Sequence, residues 1–437
     1  MKFSQALILA VPLVAALPTV ENNAVVKRDA SLFDYVETAV GSIINAVNNA
    51  ISVAQSVTQT QVTYTVPTPS SFESWKTYKA NGVNLGGWLV LEKGIDPAFF
   101  NNSGAASASD EDSFCKLLGP IKCALALEER YATYFTNSDI DEFASYGVNT
   151  LRVPVGYWAF MPALKGDNYY TGSQLAHLSA ISQHAITKGM HIIVDLHGLP
   201  GGQNGFDNQG KVGPLDWWNN STNFAHTLDL VNLATNWILA QPNNNHFTLS
   251  LINEPLPLGP ALFGQTNSSF AYLNKYYNAA LTQIRQKTTS LPVMLSDGFS
   301  GPQTWDQWWA NSTQNIVFDT HIYFFSGGSY SYDAPYAACY LAKSYQVATN
   351  PVFIGEWSIQ AGKFNMVAGN TRKDFFQAQF AAYQTYLQGS SFWNGKHNGT
   401  NVVGDDGSTQ KEYWSWEQLA SEGIVPKPGA DLSAYAC

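Results

Sequence analysis

The sequence predicts an α/β fold, and more narrowly a single-domain (β/α)8 barrel of the TIM type. Short apolar runs alternate with longer amphipathic stretches eight times between Phe72 and the C-terminus. The runs are continuously hydrophobic, which is typical of parallel strands that are buried on both faces. A doubly wound open sheet is the second candidate, but the chain contains no GxGxxG turn of the kind that binds dinucleotides.

Eight apolar runs define the predicted strands, which cover residues 82–92, 148–155, 190–198, 246–254, 291–298, 315–325, 351–358 and 389–396. Parallel neighbours need long crossover connections, and helices usually supply them. Amphipathic stretches between most of the runs predict such helices over residues 173–188, 222–240, 269–288, 335–346 and 371–388.

The barrel domain is predicted to cover residues 72–437, which leaves an N-terminal segment outside it. Residues 1–18 combine Lys2 with a short apolar stretch, the pattern of a secretory signal peptide that is too short to cross a membrane. Residues 19–71 indicate a propeptide or flexible extension, with a dibasic pair at Lys27-Arg28 that resembles a processing site. We therefore expect a secreted protein without a transmembrane segment.

Charge and composition limit the class of ligand. The net charge is −10, and no basic stripe is present to neutralise phosphates, so we expect no nucleic-acid partner. Aromatic residues make up 14% of the chain, which favours flat, neutral, hydroxyl-rich ligands that pack on rings. For any single Trp, a large aromatic core explains the same observation equally well.

The four cysteines predict disulfides rather than a metal site. A secreted chain allows two disulfides, and four cysteines permit three pairings. We expect Cys115–Cys123 as a local clip and Cys339–Cys437 as a staple for the C-terminal tail. No CxxC pair is present for zinc. Sequons predict surface glycosylation at Asn101, Asn219, Asn220, Asn267, Asn311 and Asn398.

Polar or aromatic residues recur near the C-terminal ends of the predicted strands. In a parallel barrel these ends open on one face, where the active sites of such barrels lie. The residues are Glu92, Arg152, Asp195, His197, Asn253, Glu254, His321, Tyr323, Glu356 and Trp393.

Two of these residues, Glu254 and Glu356, are 102 positions apart and can meet only if the barrel closes. Two carboxyl groups that flank a glycosidic bond are what sugar-chain hydrolysis requires, one to protonate the leaving oxygen and one to attack the anomeric carbon. Asn253 is placed to bind a sugar 2-hydroxyl, and Arg152 to hold Glu356 ionised. His321 and Tyr323 are candidates to orient the two acids.

Other chemistries are less well supported. Trp393 lies towards the end of the eighth run and suggests a platform for a sugar ring, although a core position is the alternative. His191, Asp195 and His197 suggest a metal site, but no second cluster of ligands accompanies them. A serine hydrolase is disfavoured because no GxSxG motif is present. We therefore expect no metal and no cofactor.

Six motifs in order resemble glycoside hydrolase family 5, and more narrowly the secreted fungal β-glucanases. They are "GVNLGGWLVLE", "LRVPVGYWAF", "DLHGLPGGQNGFDNQG", "INEP", "HIYFF" and "GEWS", and the resemblance covers roughly residues 75–427. It implies a retaining double displacement with Glu254 as the acid/base and Glu356 as the nucleophile. It also implies a sugar subsite formed by Arg152, His197, Asn253, His321, Tyr323 and Trp393, with hydroxyl contacts from Glu92, Asp207 and Asn208.

The linkage that is cleaved is harder to assign from the resemblance. "LEERYATYFTNSDID", "GEWSIQ" and "TQKEYWSW" look more like the branch that contains fungal endo-β-1,6-glucanases, whereas "LHGLPGGQNGFDNQG" is shared with the exo-β-1,3 branch. The sequence prediction is thus a monomeric enzyme that acts on cell-wall β-glucan, with endo-β-1,6 cleavage favoured. The alternatives are an exo-β-1,3-glucanase, a glucan transglycosylase and a non-catalytic glucan-binding protein.

Overall fold

A computed structural model describes residues 71–437, apart from residues 260–263, 311, 326–333, 362–370 and 405. The predicted signal peptide, nearly all of the predicted extension 19–71, and the sequon at Asn311 lie outside the described residues. Among the helices of the described part, none has the length and hydropathy that a bilayer span requires.

Eight parallel strands form a closed barrel in which each strand pairs with its neighbours in sequence and the first pairs with the last. The predicted (β/α)8 barrel is therefore confirmed. The strands are β1 Ala80–Asn84, β2 Thr150–Gly156, β3 His191–Gly198, β4 Phe247–Ser250, β5 Val293–Ser296, β6 Ile316–Phe324, β7 Val352–Ala361 and β8 Gly389–Phe392.

The five predicted helices are present, each within two residues of its predicted ends. The helices are α1 Pro97–Asn102, α2 Glu111–Thr133, α3 Asn137–Ser145, α4 Gln174–Thr187, α5 Ser221–Leu239, α6 Asn267–Lys287, α7 Asp306–Trp309, α8 Ala334–Tyr345, α9 Arg372–Tyr386, α10 Gln410–Trp414 and α11 Trp416–Ser421. The helices α1 to α3, which connect β1 to β2, were not among the predictions. A reciprocal capping box begins α2, in which Ser113 N donates to Asp110 Oδ1 and Asp110 N donates to Ser113 Oγ.

Three predicted strands end four or more residues earlier than the apolar pattern suggests. β1 ends at Asn84, β4 at Ser250 and β8 at Phe392, so Glu92, Glu254 and Trp393 lie beyond their strands. Positive φ angles of +67° at Gly87 and +47° at Glu254 show that the first two segments do not continue as extended backbone.

The barrel is closed at the N-terminal ends of its strands by a compact apolar layer, which we call the floor. Its members are Trp75, Ala80, Ile193, Met294, Val317 and Phe353, all fully buried. Trp75 also donates from Nε1 to Thr248 Oγ1 at 3.0 Å, so its one polar atom is satisfied. The opposite end of the barrel, which we call the mouth, contains most of the polar residues predicted to form the site.

Both predicted disulfides, Cys115–Cys123 and Cys339–Cys437, are present. The first closes a loop within α2, and the second ties the C-terminal residue to α8. Lys343 Nζ, on the same helix, donates to the carbonyl oxygen of Cys437 at 2.7 Å. The C-terminal tail is therefore fixed to the barrel at its last residue.

Candidate active site

Glu254 and Glu356 meet at the mouth of the barrel. One oxygen of each carboxyl group and a ring nitrogen of His321 all lie within 4.8 Å of one another. Glu356 is buried within β7, and Glu254 follows β4 by four residues. A carboxyl separation of about 5 Å is the spacing of glycosidases that form a covalent sugar intermediate.

Two donors hold the carboxyl group of Glu356. Arg152 Nη1 donates to Oε1 at 2.7 Å, and Tyr323 Oη donates to Oε2 at 2.8 Å. Burial raises the pKa of Glu356, whereas the positive charges of His321 and Arg152 oppose that rise. The two hydrogen bonds leave the carboxylate fixed in one orientation.

Arg152, in the middle of β2, connects Glu356 to acidic residues in the barrel interior. Its side chain is fully buried, and its Nη2 lies 2.9 Å from Asn253 Oδ1, 3.2 Å from Asp195 Oδ2 and 3.5 Å from Asp319 Oδ2. Burial works against the charge on the guanidinium, but these carboxylates and Glu356 raise the pKa of Arg152 above its ordinary value. The site therefore contains a permanent positive charge beneath Glu356.

Glu254 is bound by His321 and Asn208. His321 Nδ1 donates to Oε1 at 2.9 Å, and Asn208 Nδ2 donates to Oε2 at 2.7 Å. Burial alone works to raise the pKa of Glu254, but the hydrogen bond and charge of His321 and the hydrogen bond from Asn208 lower it.

His321 carries the proton in this arrangement. Burial opposes its charge, but Glu356 and Asp319 raise the pKa of His321 well above its ordinary value. Its two ring nitrogens face carboxylates on both sides, with Nε2 3.4 Å from Asp319 Oδ2 and Nδ1 2.9 Å from Glu254 Oε1. An imidazolium is the form of histidine that donates from both nitrogens.

Gly355 makes room for this arrangement. A Cβ atom at position 355 would clash with Asp319 Oδ1, the oxygen that faces away from His321 and Arg152. The glycine of the "GEW" motif thus allows Asp319 to contact both groups that bind the two glutamates.

His197, Asn253 and Trp393 line a second side of the mouth. His197 Nδ1 donates to Asp195 Oδ2 at 2.6 Å, so its Nε2 is free to accept from Asn253 Nδ2 at 3.3 Å. The rings of His197 and Trp393 are parallel within 3°, with centroids 5.8 Å apart. Burial opposes ionisation of Asp195, but Arg152 and His197 lower its pKa to about 2.

Two further acids come from the loops after β1 and β3. Burial and the charges of Asp207, Glu356 and Glu254 raise the pKa of Glu92 well above its ordinary value. Burial and the charge of Asp110 also raise the pKa of Asp207, to about 6. Within the described residues, Glu92 Oε1 is buried and has no hydrogen-bond partner. In its protonated form a carboxyl group can donate to a hydroxyl oxygen as well as accept from a hydroxyl group.

The alternative metal set is not brought together. His191 lies at the first residue of β3, where Nε2 contacts Thr248 Oγ1 at 2.7 Å, while Asp195 and His197 lie towards the other end of that strand. In the part of the chain that the structure describes, Glu254, His321 and Glu356 form the one set of three side chains close enough to share an ion. Hydrogen bonds among these groups and their neighbours already occupy that set.

Two site residues were missed by the sequence prediction. Asp319 lies two residues before His321 in β6, and the period-two spacing 319, 321, 323 could have identified it. Asn84, at the end of β1, accepts from Arg152 Nη1 at 3.1 Å and donates to the carbonyl oxygen of Gly355 at 2.8 Å. No local pattern distinguishes it from an ordinary strand-end amide.

Comparisons with known proteins agree with this geometry. The family model described as "Cellulase (glycosyl hydrolase family 5)" matches residues 121–399. "Probable glucan 1,3-beta-glucosidase A" of Emericella nidulans is 31% identical over 396 residues, 81% of this chain and 91% of that protein. The protein of the same name from Aspergillus fumigatus is 35% identical over 80% of this chain and 88% of that protein.

The solved structures include a similar enzyme. The crystal structure of rutinosidase from Aspergillus niger is 35% identical, with a TM-score of 0.76 over 81% of this chain and 100% of that one. The family model covers more than half of the chain, and the two relatives match 81% and 80% of it. The chain therefore belongs to glycoside hydrolase family 5 and is a glycoside hydrolase.

Proposed function

We propose that this enzyme is a secreted, retaining exo-β-1,3-glucanase that releases glucose from the ends of β-1,3-glucan chains. The carboxyl separation within 4.8 Å carries the chemical part of the proposal. The linkage follows the relatives named glucan 1,3-beta-glucosidase, which match along about nine-tenths of their length. These relatives support the alternative to the endo-β-1,6 prediction better than that prediction itself.

In the proposed first step, Glu356 attacks the anomeric carbon while Glu254 protonates the departing glycosidic oxygen. Arg152 and Tyr323 orient the attacking carboxylate, because both donate to it at hydrogen-bonding distance. In the second step Glu254 removes a proton from water, which then releases the sugar from Glu356. Asn253 and His197 are placed to bind the sugar 2-hydroxyl and its neighbour.

The pKa values of the mouth residues require a source for the proton that Glu254 delivers. Glu254 must deliver a proton, yet its pKa lies below the ordinary value while that of His321 lies above it. We infer that the proton is held in the 2.9 Å hydrogen bond between these two groups. A sugar in the mouth displaces water, which destabilises the carboxylate of Glu254 and raises its pKa. Glu254 then takes the proton from His321.

Exo action is supported by the two rim loops. Glu92 comes from the loop after β1 and Asp207 from the loop after β3. Besides burial, the charges of Asp207, Glu356 and Glu254 raise the pKa of Glu92, and the charge of Glu254 also contributes to the raised pKa of Asp207. Acids on both sides of one reacting sugar suit recognition of the free hydroxyl groups of a chain end.

Parallel digestion of laminarin and pustulan tests the proposal. We expect glucose as the sole early product from laminarin and slow release from pustulan. Short gentio-oligosaccharides from pustulan would instead support the endo-β-1,6 prediction. Products longer than the substrate at high glucan concentration would indicate a transglycosylase.

A second candidate substrate is rutin, because the rutinosidase similarity extends over the whole of that chain at 35% identity. Release of a disaccharide from rutin, faster than release of glucose from laminarin, would favour it. Secretion is supported by the two disulfides, since such bonds persist in oxidising compartments.

A further inference from the structure

Three consecutive acids at the start of α2 form hydrogen bonds with the loops that follow β1 and β3 at the mouth. Asp110, Glu111 and Asp112 are all buried, with Glu111 completely so. Only Asp110 is needed to cap the helix. The other two carboxyl groups accept hydrogen bonds from residues outside α2. These bonds offset the cost of burying the two groups and connect α2 to other segments.

Glu111 holds the loop that follows β1. Its Oε2 accepts from the backbone N–H of Leu91 at 2.8 Å, and Leu91 immediately precedes Glu92. Glu92 also forms an isolated antiparallel bridge with Asp110. The position of the Glu92 carboxyl group is thus set from both sides by the first residues of α2.

Asp110 and Asp112 hold the loop that follows β3. Asp110 Oδ2 accepts from the backbone N–H of Val212 at 2.8 Å, and the backbone N–H of Asp112 donates to the carbonyl oxygen of Gly210 at 3.0 Å. The carboxylate of Asp112 also lies 3.3 Å from Lys211 Nζ. Three successive residues of this loop therefore contact the triplet.

The same loop reaches the catalytic acid a few residues earlier. Asn208, two residues before Gly210, donates to Glu254 Oε2 at 2.7 Å. Asp207 lies beside it, and the charge of Asp110 contributes to its raised pKa. One short segment of α2 is thus connected to Glu92 on one loop and to Asp207 and Asn208 on the other.

We propose that the acidic triplet Asp110–Glu111–Asp112 is a positioning element. It fixes the loops after β1 and β3, here called the sugar-binding loops, relative to Glu254 and Glu356. None of the three touches the reacting groups, so they act through Glu92, Asp207 and Asn208. This inference rests on the proposed assignment of those three residues to the sugar site.

A double-mutant cycle between Glu111 and Glu92 tests the inference in the full chain. Glu111→Leu removes the acceptor for Leu91 N–H, whereas Glu111→Gln keeps it. Burial raises the pKa of Glu111 to about 8, so it is neutral at pH 7 and glutamine is a close replacement. The measurements are kcat/KM on an aryl β-glucoside and the Kd of a glucose-configured iminosugar by calorimetry.

We expect Glu111→Leu to lower kcat/KM and weaken iminosugar binding at least about tenfold, and Glu111→Gln to stay within about threefold. In a Glu92→Ala background the effect of Glu111→Leu should fall below about twofold, because the residue acts through Glu92. An effect of equal size in both backgrounds would overturn the inference. So would a wild-type chain that binds no iminosugar.

Glu128 is the matched control on the same helix. Its carboxylate accepts from Tyr170 Oη at 2.9 Å and from Ser173 N at 2.9 Å, away from both sugar-binding loops. Glu128→Leu should change kcat/KM less than about threefold and independently of Glu92. If Glu111→Leu fails to fold, as judged by its melting temperature, Asp110→Asn paired with Asn208→Ala gives the second cycle with the same expected coupling. Asp110→Asn keeps a helix-capping residue but replaces the carboxylate that accepts from Val212 N–H.

The two proposals fail separately. A wild-type enzyme that hydrolyses the aryl glucoside but releases no glucose from laminarin would refute the exo-β-1,3 activity. The coupling between Glu111 and Glu92 would still be measured on the aryl glucoside and the iminosugar.

Discussion

The two ends of the barrel bury histidines in opposite electrostatic surroundings. At the mouth, His321 lies among Glu254, Glu356 and Asp319, and its pKa is raised although burial works against the charge. At the floor, His191 packs against the rings of Trp75 and Tyr78, with centroids 6.1 and 5.4 Å away. Burial there, with a smaller contribution from His246, lowers its pKa to about 3.

The comparison shows that burial alone does not decide the charge of a side chain. Both rings are nearly inaccessible, but only the mouth supplies carboxylates that stabilise the charged imidazolium against its loss of hydration. At the floor, His191 Nε2 contacts Thr248 Oγ1 at 2.7 Å, and its Nδ1 is buried without a partner among the described residues. The unpartnered buried atoms of the mouth are carboxyl oxygens, including one each on Glu92, Asp195 and Asp319. Such groups are suited to a polar ligand, whereas the floor is suited to stability.

The largest expected effects are those of the two mouth glutamates. Glu356→Gln should lower kcat on laminarin by roughly 10⁴-fold or more, because the nucleophile is lost. Glu254→Gln should lower it by roughly 10²- to 10⁴-fold. With a dinitrophenyl β-glucoside, whose leaving group needs no proton, the first step of Glu254→Gln should largely recover. Equal losses on both substrates would contradict the acid role of Glu254.

Asp319→Asn should affect activity through His321. The charge of Asp319 helps to raise the pKa of His321, so its removal lets the imidazolium lose its proton at lower pH. The alkaline limb of the kcat/KM profile should therefore move to lower pH by about one unit, with roughly a tenfold loss at the optimum. A profile that keeps its shape while the rate falls would indicate a purely structural role.

His191→Gln should change the pH dependence of stability and leave the mouth intact. The folded pKa of about 3 lies below the ordinary value, so the stabilisation is fully present above about pH 6.5 and is lost as pH falls towards 3. The free energy of unfolding in urea should fall by about 2 kcal/mol less between pH 7 and pH 5 in the variant than in the wild type. Parallel curves for the two proteins would show that His191 does not control acid stability.

The smallest effect is expected for a histidine–aspartate pair on the surface. Asp141 contacts His184 Nε2 and Lys188 Nζ, each at 2.8 Å, but about half of its side chain is exposed. Asp141→Asn should lower the free energy of unfolding by less than about 1 kcal/mol and leave kcat unchanged. If Asp141→Asn changed kcat as much as Asp319→Asn, the exposed Asp141–His184 pair would matter as much as the buried Asp319–His321 pair, and the comparison would be wrong.

The sequence predicted the structure best where buried strands give a regular succession of apolar runs. The eight apolar runs identify the strands, and polar residues near their ends identify most of the mouth, because barrel closure brings those ends together. The pattern placed the ends of β1, β4 and β8 too late, because apolar residues such as Leu85, Leu251 and Trp393 follow the last residue of each strand.

The remaining features depend on contacts between distant segments. Asn84 and the triplet at the start of α2 gain their roles only through residues from other parts of the chain, such as Gly355 and Val212. The endo-β-1,6 linkage stays a prediction that rests on motifs such as "GEWSIQ" and "TQKEYWSW". The relatives that match over most of their length are named for β-1,3-glucan instead.

The left-handed backbone at Glu254 explains how two neighbours in sequence reach one opening. Adjacent side chains of an extended segment point to opposite sides. With φ at +47°, the chain departs from that alternation at one residue, and both side chains enter the mouth. A single torsion angle thus brings an amide and an acid from consecutive positions to the same side of the chain.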